Sequence, residues 1–155
     1  MEGLRTPDCV IRERKYMNNL ELQKCILGPV YTNCYFLKNK VTGEMIIIDP
    51  ADCPEKIEQK VMQMDGKPVA ILLTHGHFDH ITAVEAVKEK YHIPVYACRQ
   101  EEEMLREPVM NMTCHYEKSC SIVPDVFLDD LDVFRAAGFS IQMIYTPGHT
   151  KGSCC

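Results

Sequence analysis

The sequence predicts an α/β domain in which mixed β-sheets carry helices on their faces. Three observations predict it. Short apolar runs of strand character alternate with segments whose apolar residues recur at helical spacing. The order of elements is strands, helix, strand, helix and then further strands, which suits helices layered on sheets. A histidine-rich polar segment falls directly after an apolar strand and before a helix, where open α/β sheets place ligand sites. With 155 residues, 46% of them hydrophobic, the chain suffices for one globular domain with a real core.

Residues 1–19 show no clean period and read as a poorly structured N-terminal extension, with the domain spanning 20–155; Met17 fits a natural start, because regular structure begins just after it. From Leu20, alternation of Leu20, Leu22, Lys24 and Ile26 with Glu21, Gln23, Cys25 and Leu27 predicts a strand. Gly28-Pro29 turns the chain, and Val30 to Leu37 returns as the second strand of a hairpin. Asn39 to Glu44 turns it again, and Met45-Ile46-Ile47-Ile48 reads as a buried strand ended by Asp49-Pro50. Asp52 is placed to cap the next helix, with Pro54 in its first turn and Glu55 three residues beyond the cap. Ile57, Val61 and Met64 supply its apolar face, and Asp65-Gly66 stops it.

Val69 to Leu73 is a second apolar strand, leading straight into Thr74 to His80. A helix follows from about Asp79 to Tyr91, with Ile81, Val84, Val87 and Tyr91 on one face. Pro94 to Ala97 reads as a short strand and Gln100 to Arg106 as a charged short helix. Residues 107–123 have no period. Val126 to Leu128 and Leu131 to Phe134, flanking Asp129-Asp130, resemble a hairpin, and Phe139, Ile141, Met143 and Tyr145 alternate as a last strand ending at Thr146-Pro147-Gly148-His149. No internal repeat, low-complexity tract or linker interrupts the chain.

Composition narrows the function. The net charge is −5, which argues against a nucleic-acid partner held by clustered Lys and Arg. No apolar run approaches the roughly 20 residues that cross a bilayer, and residues 1–19 lack the apolar stretch of a secretory signal, so a cytoplasmic location is expected, with neither nucleic acid nor membrane as partner. Nine cysteines, an odd number without a C-x-x-C pair, read as reduced thiols, most of them serving as small buried hydrophobes.

The chemistry concentrates in Thr74-His75-Gly76-His77-Phe78-Asp79-His80, which holds three of the six histidines and a carboxylate. In extended chain His75 and His77 project to one side, because the side-chain period is two. The turn into a helix brings Asp79 and His80 from another direction. Imidazole and carboxylate are the usual ligands of catalytic zinc and other first-row divalent ions, and two directions of approach leave room for two neighbouring metals. A polar loop of surface histidines, with Asp79 as a helix cap, is the plainer alternative; the flanking strand and helix favour metal. His149, presented after Pro147-Gly148, is the natural further imidazole. His92 sits at a helix end, where a capping role suffices, and His115 stays unassigned.

These residues resemble the metallo-β-lactamase superfamily, whose mark is T-H-x-H-x-D-H followed later by a lone G-H loop. Gly28-Pro29 with Thr32-Asn33-Cys34-Tyr35, Ile48-Asp49-Pro50, and Pro147-Gly148-His149-Thr150 with Gly152-Ser153 are similar to its small glyoxalase II-like branch, from about Leu20 to the last residue. The resemblance implies a four-layer αββα sandwich, represented here by its N-terminal portion. It implies that His75, His77 and His149 hold a first metal and that Asp79 and His80 contribute to a second, the pair being zinc, with iron or manganese as alternatives. It further implies hydrolysis by a hydroxide that bridges the metals, Asp79 orienting the nucleophile, with a small-molecule substrate and an acyl-thioester as its favoured class. The same site could serve phosphodiester hydrolysis or iron-dependent sulfur oxidation. The branch's remaining ligands, an aspartate and a histidine, are expected beyond His149, where six residues supply neither, so the chain reads as the amino-terminal part of a longer hydrolase. As it stands it could be a catalytically incomplete chain that binds one metal. Cys154 or Cys155 is a further, weaker candidate ligand.

Overall fold

The structure is a computed structural model that describes residues 19–116 and 119–155. The expectation for residues 1–18 lies outside the described residues. Six strands form the main sheet, in the spatial order of the chain: β1 (Leu20–Leu27), β2 (Thr32–Asn39), β3 (Glu44–Ile48), β4 (Lys67–Leu72), β5 (Val95–Cys98) and β6 (Val126–Leu128). β1, β2 and β3 pair antiparallel, and β3 to β6 run parallel. β7 (Val133–Ala136) and β8 (Phe139–Gln142) make a separate antiparallel pair. The helices are α1 (Pro54–Gln63), α2 (Phe78–Ile81), α3 (Val84–Tyr91) and α4 (Glu102–Arg106), with 3-10 turns at Arg99–Glu101 and Thr113–His115.

The first hairpin forms as the alternation predicts, but its turn is longer. Gly28 and Tyr31 both adopt positive φ, and the amide of Tyr31 reaches the carbonyl of Gly28, so the return strand starts at Thr32 rather than Val30. On β1 the inward face is Gln23, Cys25 and Leu27, while Leu22 and Ile26 remain 57% and 55% exposed. The parallel β3–β4 pair needs a crossover, and α1 supplies it, burying Ile57 and Val61. The cap of α1 is Cys53 in a left-handed conformation, not Asp52. The helix begins one residue too far on, and the carboxylate of Asp52 instead accepts the amide of Cys53.

The expected long helix over 79–91 is two helices. The Thr82 hydroxyl donates to the carbonyl of Ala51, and the amide of Ala83 to that of Pro50. These bonds to the β3–α1 connection compete with the helical ladder and break it between Ile81 and Val84. Ile81, Val84 and Val87 are buried as their spacing predicts. The hairpin expected across Asp129-Asp130 does not form. Val126–Leu128 adds parallel to β5, which buries Leu128 against Cys98 and Met143, and the Asp129–Asp132 turn sends the chain to the second sheet, where β7 pairs with β8. The last strand also ends earlier than its alternation suggests, at Gln142.

The core has two sides. On one face of the main sheet, Phe36, Met45, Ile47, Ile71 and Val95 pack against Ile57, Val61, Ile81, Val84, Val87 and Leu105 from the helices. On the other, Ile46 and Ala70 pack with Ala137, Phe139 and Ile141 of the second sheet. Helices, main sheet and a two-stranded second sheet are thus three of the four expected layers among the described residues. No disulfide joins the described cysteines; Cys34 and Cys98 are buried, Cys25, Cys53, Cys120 and Cys154 half-buried, and Cys114 and Cys155 exposed.

Candidate metal centre

Three parallel strands end at one edge of the main sheet, and each delivers a polar residue there: Asp49 after β3, Thr74 to His80 after β4, and Glu101 after β5. Because β2 is antiparallel to β3, its first residue, Thr32, comes to the same edge. His149 arrives from the other end of the chain. Ile144 and Cys155 exchange backbone hydrogen bonds, the amide of Thr146 donates to Ser153, and the amide of Cys154 donates to Thr74. This closed loop therefore docks directly on the end of β4.

The five residues read from the sequence meet. His75, His77 and His149 each offer one nitrogen, and these atoms lie within 4.8 Å of one another. His77 Nδ1 and His149 Nε2 are 3.0 Å apart. Two imidazole nitrogens bound tetrahedrally to one zinc, at about 2.05 Å each, would stand ~3.3 Å apart, close to this spacing. The ring centroid of His75 is 4.9 Å from that of His77, 4.8 Å from that of His149 and 4.0 Å from that of His80. His75 Nε2 is buried without a hydrogen-bond partner among the described residues. A buried unpaired imidazole nitrogen is costly, and a metal ion is the partner that fits this one. Burial, then the neighbouring His80, His77 and His149, hold the His75 pKa down at about 3, and burial, then His149, lowers that of His77. Both are therefore in the neutral form that ligation requires.

Asp79 and His80 lie on the other side of His75. Asp79 Oδ2 accepts the Thr32 hydroxyl at 2.6 Å and stands 3.4 Å from His80 Nε2, while Oδ1 has no hydrogen-bond partner among the described residues. His80 Nδ1 lies 2.9 Å from Asp49 Oδ2. Burial opposes a charge on His80, but the hydrogen bond and negative charge of Asp49, with that of Asp79, outweigh it and raise its pKa. Asp49 also accepts the amide and the hydroxyl of Thr74, at 2.8 and 2.7 Å, from a left-handed backbone with φ 52°. It thereby fixes the start of the histidine segment and the ring of His80 together.

Sequence reasoning treated Asp49 as the end of a strand and Glu101 as part of a charged helix. Both are buried and both hold site residues by hydrogen bonds. The signal for Glu101 was its spacing: it stands four residues before the buried Leu105, on the inward face. The aperiodic loop also contributes, because the carbonyl of Asn111 accepts the amide of Phe78 inside the motif. His92 caps α3 with φ 54°, its amide donating to Lys88, as a helix-end role requires. His115 is exposed in a 3-10 turn outside the cluster. Cys154 does not join the ligand group; its thiol faces the carbonyls of Leu73 and Thr74, and burial above all pushes its pKa up to about 12. Cys155 contacts the Thr146 hydroxyl instead.

The chain is 35% identical over 130 residues to the probable metallo-hydrolase YqgX of Bacillus subtilis, covering 82% of this chain and 60% of that protein. It is 32% identical over 122 residues to BaeB of Bacillus velezensis, a probable polyketide biosynthesis zinc-dependent hydrolase, covering 79% and 48%. Among solved structures, the B3 metallo-beta-lactamase BLEG-1 superposes with a TM-score of 0.79 at 34% identity, over 86% of this chain and 65% of that one. TTHA1623 in a di-iron-bound form superposes with a TM-score of 0.71 at 29% identity, over 85% and 64%. The chain thus spans about three-fifths of the length of the first of these relatives. The sequence model of the Metallo-beta-lactamase superfamily matches residues 27–155, from the end of β1 through both halves of the histidine cluster, and the chain belongs to that superfamily.

Proposed function

We propose that this chain carries the metal-binding part of a metal-dependent hydrolase of the glyoxalase II-like type, with an acyl-thioester as substrate. The observation that carries the metal reading is the orphaned Nε2 of His75, buried among the nitrogens of His77 and His149. In this reading His75, His77 and His149 hold a first divalent ion, and Asp79 and His80 contribute to a second. Bound there, the ions would lower the pKa of a water molecule and polarise the carbonyl it attacks. Asp79 is the catalytic residue: Oδ2, which accepts the Thr32 hydroxyl and lies 3.4 Å from His80 Nε2, keeps a lone pair for the second ion, and Oδ1 is left to accept a hydrogen bond from the attacking water and orient it.

Beside Asp79 runs a groove lined by Pro29, Phe78 and Tyr116 together with the polar Asp52, Thr82 and Glu85, the rings of Phe78 and Tyr116 being stacked at 4.5 Å. The two stacked rings offer an acyl chain an apolar surface beside Asp79. Histidine and aspartate ligands suit zinc, iron and manganese alike. The zinc-dependent relative supports zinc, and the di-iron form of TTHA1623 keeps iron as the alternative. A second reading, iron-dependent oxidation of a sulfur compound, requires the iron alternative, because zinc has no redox chemistry.

The test is thiol release from a simple acyl-thioester by the zinc-loaded protein beside its His75→Ala variant. Cleavage that the variant loses supports the reading. A zinc-loaded protein that leaves thioesters intact would overturn the thioester assignment, while oxidation of a sulfur compound by the iron form would favour the second reading.

A further inference from the structure

We infer that Glu101 is a positioning residue, which sets the His149 loop in register with the His75–His77 segment so that the three imidazoles converge. The inference rests on the metal reading of the site.

Glu101 ends the 3-10 turn after β5 and is 1% exposed. Its Oε1 accepts the amide of Gly76, between His75 and His77, at 2.9 Å. Its Oε2 accepts the amide of Gly152 at 2.7 Å and the hydroxyl of Thr150 at 3.0 Å, on the far side of His149. One carboxylate thus joins the two segments that supply the ligand nitrogens. No lysine, arginine or histidine among the described residues forms an ion pair with it. A buried carboxylate is costly unless satisfied, and here the three donors from the ligand segments satisfy it.

The backbone has been cleared for this contact. A Cβ on Gly152 would stand 2.3 Å from the Glu101 amide nitrogen and 2.5 Å from its Oε2. A Cβ on Gly76 would meet Met104 Cγ at 2.9 Å and Leu105 Cδ2 at 3.0 Å, in the helix that follows Glu101. Glycine at both places lets two loops approach the carboxylate by their backbones. The need is plain at His149, which is exposed, beside a Gly148 with nothing within 4 Å of a built Cβ. Bonds of Gly148 with Thr150, of Thr150 with Ser153 and of Tyr145 with Lys151 shape the loop within itself, and those of Thr146 with Ser153 and of Cys154 with Thr74 fix its base. Near the tip, however, it is Glu101 that ties it to the His75–His77 segment. Ligand groups must be placed within about 0.5 Å to act together, and the Glu101 contacts at Thr150 and Gly152 supply that constraint near the tip.

Glu101→Gln keeps the size of the side chain but replaces one acceptor oxygen by an NH2 group facing N–H and O–H donors. The experiment is a Co2+ titration, followed by visible absorption, of the 155-residue chain, Glu101→Gln, His149→Ala and the double variant, with folding of each metal-free form checked by circular dichroism. Glu101→Gln is expected to weaken Co2+ binding about 10- to 100-fold, as loss of an outer hydrogen-bond partner does at other metal sites, and to change the band of the bound ion. In the His149→Ala background the same substitution should cost clearly less, because the arm to Thr150 and Gly152 then has no ligand to place and only the arm to Gly76 remains.

Unaltered binding by folded Glu101→Gln, or an equal loss in both backgrounds, would overturn the inference. If Glu101→Gln does not fold, Thr150→Val, which cuts one arm of the same contact, carries the test with the same expectations, beside Ser153→Ala as the control for the Thr150–Ser153 hydroxyl contact it also removes. Absence of His75-dependent binding in the unsubstituted chain would overturn the metal reading and this inference with it, whereas His75-dependent binding insensitive to Glu101 overturns the inference alone.

Discussion

At the scale of single residues, the site is a set of imidazoles held by buried carboxylates. Asp49 uses both oxygens, on Thr74 and on His80, and does so from a left-handed backbone that asparagine also tolerates. Asp49→Asn therefore isolates the charge and the bond to His80 from the backbone requirement. We expect it to weaken metal binding about 10- to 100-fold, measured by competition with a chromophoric chelator, with little change in the circular dichroism of the fold. Affinity equal to that of the unsubstituted chain would remove Asp49 from the account. Protonation gives a second expectation, for the metal-free chain. His75, its pKa held near 3 in the folded state against 6.5 for the free side chain, takes up its proton mainly on unfolding. Its contribution therefore erodes stability as pH falls from about 6.5 toward 3, whereas His80, with a raised pKa, contributes stability below 6.5 that is lost as pH rises through its folded value. His75→Asn should gain on the unsubstituted chain in urea unfolding as the pH is lowered across that window; a constant difference would contradict it.

At the scale of elements, the strands with strict alternation and the apolar runs before Asp49 and Thr74 were legible, because burial of a face writes a period into the sequence. The same periodicity identified the buried positions Ile57, Val61, Ile81, Val84 and Val87. Partner choice was not legible. Nothing local tells Val126–Leu128 to join β5 rather than hairpin across Asp129-Asp130, since that choice depends on Cys98 and Met143 waiting elsewhere. The helix break at Thr82 was hidden for the same reason, its acceptors being Pro50 and Ala51. Residues 107–123 lacked any period because part of that loop is held by side-chain hydrogen bonds. Asn111 Nδ2 donates to the carbonyls of Leu105 and Cys120, its Oδ1 accepts the amide and hydroxyl of Thr113, and both residues are fully buried. Asn111→Ala strands these partners and should cost about 1–3 kcal/mol in denaturant unfolding. A loss below a few tenths of a kcal/mol would mean that water replaces the network without penalty.

At the scale of the molecule, the histidine cluster and the sheet edge that carries it were readable from two short motifs, Thr74 to His80 and Gly148-His149, while the residues that hold it, Asp49, Thr32 and Glu101, became recognisable as supports only once β2, β3 and β5 were brought to the same edge. The main sheet is well covered by helices on one face. Among the described residues its other face carries only β7 and β8, leaving Leu22 and Ile26 on β1 more than half exposed, together with Leu131 and Val133 at 60% each. An edge strand with an exposed apolar face invites pairing between chains. We expect the chain to self-associate with rising concentration in sedimentation velocity, and Leu22→Lys with Ile26→Lys to reduce it. A monomer at all accessible concentrations would show that this face is tolerated in water.

The central claim is that His75, His77 and His149 form a metal centre. The most direct test is the metal content of the purified 155-residue chain by elemental analysis after equilibration with zinc, beside His75→Ala. At least one tightly held ion per chain, lost in the variant, is expected. Equal metal in both proteins, or none in either, would contradict it.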